Sequence, residues 1–184
     1  MGKIIQIGGT HGSGKSTLVR RLLGTNHNSF KSPTKGFKYT LPHVEQPTFA
    51  VAGHYKSACG GCDGIGTVDE LCDTIHWLSQ QFPVVLYEGA LLYVKRNLPR
   101  LQLVYGLKPD IYLLNLSADE CIDSVLERRF AAGNDKPLNP KALLAKHKGY
   151  KTYGDFAIEE GYNVTWGNRD ELYNIINPQL HTSC

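Results

Sequence analysis

The eight residues from Gly9 to Ser16 combine residue types and spacing that suit phosphate binding, because they match the pattern G-x-x-x-x-G-K-[ST]. Glycines let the backbone turn tightly, so that successive N–H groups point at phosphate oxygens. Lys15, which we expect to face solvent, can reach the β- and γ-phosphates, and the Ser16 hydroxyl can ligate Mg²⁺. The pattern predicts a nucleoside triphosphate site formed by Gly9, Thr10, His11, Gly12, Ser13, Gly14, Lys15, Ser16 and Thr17.

The segments on either side of this loop are those that a phosphate-binding loop requires. A short β-branched run at 3–7 precedes the loop, and a helical pattern at 17–23 follows it. The positive end of that helix's dipole would face the bound anion. We therefore interpret this part of the chain as a strand, a phosphate loop and a helix.

A second residue suited to the same chemistry is Glu88, which follows the apolar run at 83–87. Ligands of parallel sheets bind beyond the carboxyl ends of the strands, so Glu88 should lie near the Mg²⁺ and the γ-phosphate. A carboxylate there can serve as a metal ligand or as a base, since phosphoryl transfer needs charge neutralisation and an oriented nucleophile. Alternatively, Glu88 only begins a helix, where the dipole favours a carboxylate.

Short apolar runs alternate with helical patterns along the chain, which is typical of βαβ units. We predict a three-layer, doubly wound α/β fold with a five-stranded parallel sheet, as one domain spanning 1–184. The segment at 25–47 is predicted to be irregular, and Thr67 and Ser117 to cap helices. The remaining strands are predicted at 48–53, 83–87, 111–116 and 162–166, and the remaining helices at 67–81, 117–129, 141–149, 151–160 and 169–176.

Composition is compatible with a single domain that has one core. The chain has 184 residues, 41% of them hydrophobic, and a net charge of +3. The five cysteines are an odd number and no leader segment is evident, so we expect reduced thiols in a cytoplasm. No apolar run approaches the roughly 20 residues of a membrane span, so we expect no membrane association.

The strand end Glu88-Gly89, followed by Ala90-Leu91-Leu92, resembles the uridine-kinase branch of the P-loop nucleoside and nucleotide kinases. The resemblance implies an enzyme that uses ATP and Mg²⁺ and closes a short lid, here at about 128–140. It also implies that Arg128 and Arg129 clamp the transferred phosphoryl group, and that Trp166 lies against the adenine ring. Alternatively, the two arginines are ordinary partners of a helix C-terminus and Trp166 is a core residue.

The glycine-rich segment at 53–64 departs from those kinases. Related kinases keep an acidic base at this sheet position, so the resemblance makes Asp63 the acceptor of the proton from the attacking hydroxyl. The run Gly60-Gly61-Cys62-Asp63 resembles phage-encoded P-loop kinases that phosphorylate 5-hydroxymethyluracil in DNA. That narrower resemblance implies action in the host cytoplasm. A free nucleoside or nucleotide remains the alternative acceptor.

Two segments interleave cations with aromatic residues, which suits contact with phosphates and bases. One contains Phe30, Lys31 and the run at 35–39, and the other spans 141–153. Both could equally be solvated surface segments, and the modest net charge argues against strong nonspecific DNA binding. A DNA acceptor is therefore a hypothesis that these segments support only in part.

Two further patterns point to other classes of protein. Cys59, Cys62, Cys72 and His76 have a spacing that could hold zinc, although Cys72 falls on the apolar stripe of a helix. The run at 63–66 fits D-x-x-G, but no N-K-x-D guanine-reading motif follows, which argues against a GTPase switch. A nucleotide-gated regulatory protein that hydrolyses slowly remains the alternative to a kinase.

Overall fold

The computed structural model describes residues 2–33, 35–55, 61–62, 65–89, 91–135 and 137–181. The class predicted from the sequence, α/β, is confirmed, because strands and helices alternate over most of the chain. In order along the chain, the elements are β1 (Lys3–Gly8), α1 (Lys15–Leu23), β2 (His27–Lys31), β3 (Lys38–Pro42), β4 (Phe49–Ala52), α2 (Val68–Ser79), β5 (Val84–Glu88), α3 (Arg100–Tyr105), β6 (Asp110–Leu114), α4 (Ala118–Ala131), α5 (Pro140–Glu159), β7 (Val164–Gly167) and α6 (Arg169–Leu180).

The described residues form a mixed sheet of seven strands in the order β2-β3-β4-β5-β1-β6-β7. Five consecutive strands of that order run parallel to one another, namely β4, β5, β1, β6 and β7. β2 pairs with β3, and β3 with β4, in antiparallel fashion. The prediction of a purely parallel, five-stranded sheet is therefore not confirmed, because an antiparallel hairpin extends the sheet at one edge.

This hairpin occupies the segment that the sequence predicted to be irregular, so that prediction is wrong. β2 is an edge strand whose five residues are exposed or half-buried, and only Thr40 of β3 is fully buried. A strand that is solvated on both faces has no apolar alternation to reveal it. Backbone pairing and the Ser29–Thr40 hydroxyl hydrogen bond at 2.8 Å stabilise it instead.

Helices cover both faces of the sheet. α1 and α6 pack on one face, against alternate residues of the central strands that include Ile5, Ile7 and Leu86. α2 and α3 pack on the opposite face against Ile4, Val85 and their neighbours. α5 covers β6 on that second face through Tyr150, Tyr153 and Ala157. The two layers of helices hold the carboxyl ends of the parallel strands in fixed register.

The helix caps predicted from the sequence are confirmed. The Thr67 side chain accepts a hydrogen bond from the Glu70 N–H, and Ser117 forms a reciprocal capping box with Glu120. The predicted break within 141–160 is wrong, since α5 is a single helix that begins after the Asn139 cap. Gly149 lies inside this helix, where its cost relative to alanine is about 1 kcal/mol, and the buried tyrosines that follow compensate for it.

None of the helices in the described ranges combines the length and the apolar character that crossing a bilayer requires.

Candidate functional site

The predicted phosphate loop and Glu88 lie at the same edge of the sheet. β1 and β5 are paired in parallel with Ile7 opposite Glu88, so the loop that follows β1 begins beside this carboxylate. A cleft of about 770 Å³ opens at this edge. It is lined by the loop residues Gly9, Thr10, His11, Gly12, Gly14, Lys15, Ser16 and Thr17, and by Arg20, Glu88, Gly89, Tyr93, Leu116, Ser124, Arg128, Lys146, Gly149, Tyr150 and Arg169.

Two glycines give the loop its shape. Gly12 and Gly14 have φ angles of 83° and 88°, a left-handed conformation that side chains with a Cβ rarely adopt. A Cβ at Gly14 would also lie 2.8 Å from the Cδ of Arg169. The loop can therefore wrap closely around an anion only with glycine at these positions.

The start of α1 is suited to an anion. α2, α4, α5 and α6 each have a side chain that caps their first turn, whereas Gly14 caps α1 without a side-chain hydrogen bond. The hydroxyls of Thr10 and Ser13 are buried and have no hydrogen-bond partner within the described part of the chain. Buried hydroxyls and uncapped N–H groups need acceptors. Phosphate oxygens would satisfy both, so the loop fits the triphosphate that the sequence predicts.

The exposure of the Lys15 side chain differs from the prediction. It is half-buried rather than solvent-facing, and its ammonium donates a hydrogen bond to the Thr10 carbonyl oxygen at 3.0 Å. This contact folds the side chain over its own loop. The lysine is thereby held inside the cleft, close to the helix N-terminus, where an anion would bind.

Glu88 is the buried centre of the site. It is 2% exposed, and its Oε1 accepts hydrogen bonds from the Ser16 hydroxyl at 2.7 Å and the Tyr55 hydroxyl at 3.1 Å. Burial and the neighbouring Glu88 carboxylate raise the pKa of Tyr55 well above its usual value. Tyr55 therefore stays protonated and donates to Glu88 at any physiological pH. The sequence analysis did not identify Tyr55, which lies 33 residues from Glu88 along the chain.

The donors at the Ser16–Glu88 contact fit Mg²⁺. The ion prefers oxygen ligands, and proteins usually hold it through one or two side chains while water and substrate phosphates complete the octahedron. Ser16 and Glu88 supply a hydroxyl and a carboxylate within hydrogen-bond distance of each other. In the described residues, no group of three or more His, Cys, Asp or Glu could hold a metal. From their chemistry and their contact at 2.7 Å, Ser16 and Glu88 are the residues that would hold the ion.

Cationic side chains surround the opening of the cleft. Arg128 from α4 and Arg169 from the start of α6 line it, together with Arg20. Lys146 of α5 places its ammonium 3.1 Å from the Nε2 of His11 in the phosphate loop. Arg129 is half-buried and does not contribute to this lining. The structure therefore brings one of the two predicted arginines to the cleft, along with cations from α1, α5 and α6.

Trp166 lies in a neighbouring cavity of about 310 Å³, which shares Leu116 and Tyr150 with the main cleft. Its ring meets that of Tyr150 edge to face, with the ring centres 5.7 Å apart. It also packs against Gly154 of α5. The structure does not bring Trp166 to the main cleft, whereas Arg169, three residues later, lines that cleft.

Asp63 lies outside the described residues, as does Cys59. Of the same segment, Gly61 and Cys62 are described, and they pack against Glu88 and Gly89: a Cβ at Gly61 would lie 2.7 Å from the Glu88 Oε1. Cys62 and Cys72 are buried in the core beneath α2, and burial raises the pKa of the Cys72 thiol to about 11. Within the described residues, the cysteines therefore have the environment of core residues and not of thiolate ligands.

The chain is similar to known proteins in sequence and in fold. The chain matches no protein-family profile. It is 36% identical over 190 residues to a 5-hmdU DNA kinase of Pseudomonas phage PaMx11, covering 97% of each chain. It is 27% identical over 187 residues to a 5-hmdU DNA kinase of Delftia phage PhiW-14, covering 92% of this chain and 69% of that protein.

Among solved structures, the tunicamycin resistance protein of Deinococcus radiodurans superposes with a TM-score of 0.58, over 100% of this chain and 98% of that one. The sequence identity is 13%, so this likeness concerns the fold. The similarity to the PaMx11 protein, by contrast, extends over nearly the full length of both sequences. By that similarity, the chain belongs to the family of 5-hmdU DNA kinases.

Proposed function

We propose that this protein transfers the γ-phosphate of ATP to the hydroxymethyl oxygen of 5-hydroxymethyluracil in phage DNA, in the host cytoplasm. The observation that carries the proposal is the Ser16–Glu88 contact at 2.7 Å, directly beyond the phosphate loop of a chain that belongs to a kinase family. The proposal treats 1–184 as a single kinase domain with a three-layer, doubly wound P-loop fold. Both faces of the sheet are covered by helices, which supports that arrangement.

In the proposed reaction, the hydroxymethyl oxygen attacks the γ-phosphorus, ADP leaves, and the hydroxyl proton passes to a carboxylate. Asp63 is the proposed proton acceptor, since its neighbours Gly61 and Cys62 pack against Glu88 and Gly89. Glu88 accepts the hydrogen bond from the Ser16 hydroxyl and so orients it. When bound, Mg²⁺ neutralises charge on the phosphate oxygens and aligns them for transfer.

The cations around the cleft have distinct proposed roles. Lys15 and Arg128 would balance the charge on the transferred group, which is spread over its equatorial oxygens. Lys146, next to His11, would close the α5 side of the nucleotide. The proposed lid at 128–140 spans the end of α4 and the connection to α5. A lid hinged on α4 would bring Arg128 toward the phosphates.

The adjacent arginines give this assignment a matched test. Arg128→Ala should lower kcat by about 10- to 100-fold, because it removes a cation that lines the cleft. Arg129→Ala removes the same charge from the same helix but from a side chain outside the lining, so its kcat should stay within about threefold of wild type. Steady-state kinetics with saturating DNA measure both. Equal losses in the two variants would contradict the distinction.

The function itself is tested with labelled ATP and a panel of acceptors. The panel contains DNA with 5-hydroxymethyluracil, the same DNA with thymine, the free nucleoside and the free nucleotide. Label should enter only the hydroxymethylated DNA, at the modified base. Efficient labelling of the free nucleoside or nucleotide would make the protein a small-molecule kinase. ATP hydrolysis without label in any acceptor would favour a nucleotide-gated regulatory protein.

A further inference from the structure

The tip of the β2–β3 hairpin lies at the same edge of the sheet as the cleft. β3 runs antiparallel to β4, so the start of β3 lies beside the end of β4, and the Lys38 carbonyl accepts a hydrogen bond from the Gly53 N–H at 2.8 Å. On β2, the Phe30 carbonyl lies 2.6 Å from the Nε2 of His54. The hairpin is therefore attached to the segment that leads from β4 to Tyr55, whose hydroxyl donates a hydrogen bond to Glu88.

The tip concentrates positive charge. Lys31 and Lys38 are direct cross-strand partners, and Lys35 is exposed in the turn between them. No acidic residue occurs between 27 and 42. A polyanion such as a nucleic-acid backbone complements this cluster of lysines.

The lysines face the side of the sheet that leads to the cleft. Side chains alternate along a strand, so Lys31 shares a face with Ser29, and Lys38 shares it with Thr40. On that face the Ser29 hydroxyl accepts a hydrogen bond from the Tyr55 N–H at 3.3 Å. The Arg20 guanidinium lies 6.0 Å from the centre of the Tyr55 ring, and Arg20 lines the cleft. Through Ser29, Tyr55 and Arg20, the face of the hairpin that carries Lys31 and Lys38 thus adjoins the cleft.

The aromatic residues of the hairpin have a different role. Phe30 stacks on Tyr39 with ring centres 5.5 Å apart, and Tyr39 meets Trp77 of α2 edge to face at 5.5 Å. Phe37 contacts Trp77 as well, at 6.1 Å. These rings fasten the hairpin to α2 on the face opposite the lysines. The aromatic residues therefore hold the hairpin against α2, and Lys31 and Lys38 lie on its other face.

We propose that Lys31 and Lys38 bind backbone phosphates of the DNA strand that flanks the target base, which holds the strand while the base enters the cleft. The inference rests on the proposed function. A base acted on by an enzyme must leave the stack, and fixed phosphates on one side of it direct where it goes. The hairpin supplies binding to the strand without contacting the reacting atoms.

The test uses Lys31→Glu, Lys38→Glu and the double variant, with Lys108→Glu as the control. Lys108 is exposed at the opposite edge of the sheet, before β6 begins, and its ammonium lies 4.8 Å from the centre of the Tyr162 ring. The control therefore compares kinetic and binding constants, and its Tm is measured separately. Each protein is assayed with the free hydroxymethylated nucleoside and with a hydroxymethylated single strand of about 20 nucleotides, at several salt concentrations. Binding of the same strand, without ATP, is measured by fluorescence anisotropy.

We expect the double variant to raise KM and Kd for the strand by about tenfold or more and to reduce the slope of log Kd against log salt by about 1.4, which corresponds to two phosphates on a single strand. Its kcat at saturation, its Tm and all constants of Lys108→Glu should match wild type. Unchanged KM and Kd in the double variant would overturn the inference. Lysine-dependent binding by a wild-type protein that phosphorylates no DNA would overturn the proposed function and leave the hairpin as a DNA-binding surface.

Discussion

Replacing Lys15 with alanine is expected to lower kcat by about 10²- to 10³-fold or more, the cost of losing one preorganised charge contact in an active site. The side chain is half-buried, points into the cleft and donates to the Thr10 carbonyl. It belongs to none of the core clusters of the described residues, so its truncation opens no apolar cavity. Transfer of label from ATP to hydroxymethylated DNA measures the loss.

The control for Lys15→Ala is Lys148→Ala, which removes an exposed lysine from α5. Both variants should keep the Tm of the wild-type protein to within a few degrees, since neither removes buried apolar surface. Lys148→Ala should also keep wild-type kcat. If Lys15→Ala retained wild-type kcat with an unchanged fold, Lys15 would not contact the transferred phosphate, and the role proposed for this loop in phosphate binding would be wrong.

The parts of the fold that sequence predicted are those with strong local signals. The glycines of the phosphate loop indicate its conformation. Thr67 and Ser117 each have a hydroxyl three residues before a glutamate, which indicates the start of a helix. The buried central strands appear as apolar runs because both of their faces are covered. In each case the residues within the element itself are enough to predict it.

The β2–β3 hairpin and the length of α5 depend on contacts that local patterns do not encode. β2 is exposed or half-buried throughout and persists because β3 pairs with it, while β3 is held by β4. α5 continues through Gly149 because Tyr150 and Tyr153 pack against β6. Helix propensity alone would end α5 at Gly149, and strand propensity alone would leave the β2–β3 segment as a loop. Tertiary packing overrides both preferences.

In the site, too, residues within local motifs could be predicted from the sequence, and residues brought in from distant helices could not. Residues predicted to be in it, such as Ser16 and Glu88, belong to motifs at strand ends and are brought together by the parallel register of β1 and β5. Lys146 and His11, by contrast, are 135 residues apart along the chain. Arg169 reaches the cleft only because α6 begins beside Gly14. Single side chains from distant helices carry no spacing that a sequence pattern could reveal.

Glu88→Gln is expected to lower kcat by about 10²- to 10³-fold and to raise the Mg²⁺ concentration that gives half the maximal rate. The change removes the buried negative charge next to Ser16 but keeps an oxygen that can accept hydrogen bonds from Ser16 and Tyr55. The fold should therefore persist, and thermal unfolding checks this. Magnesium titrations of the initial rate measure the effect on the ion.

Two further variants separate the roles of the groups around Glu88. Tyr55→Phe removes one hydrogen bond to the carboxylate, worth about 0.5–1.5 kcal/mol, and keeps the charge, so it should affect the magnesium titration far less than Glu88→Gln. Asp63→Asn should lower kcat even at saturating Mg²⁺, because it removes the proposed proton acceptor and leaves the ion's ligands in place.

If Glu88→Gln reached wild-type kcat at the wild-type Mg²⁺ requirement, Glu88 would be a structural residue of β5. If Asp63→Asn were fully active while Glu88→Gln lost kcat at saturating Mg²⁺, the base would be Glu88.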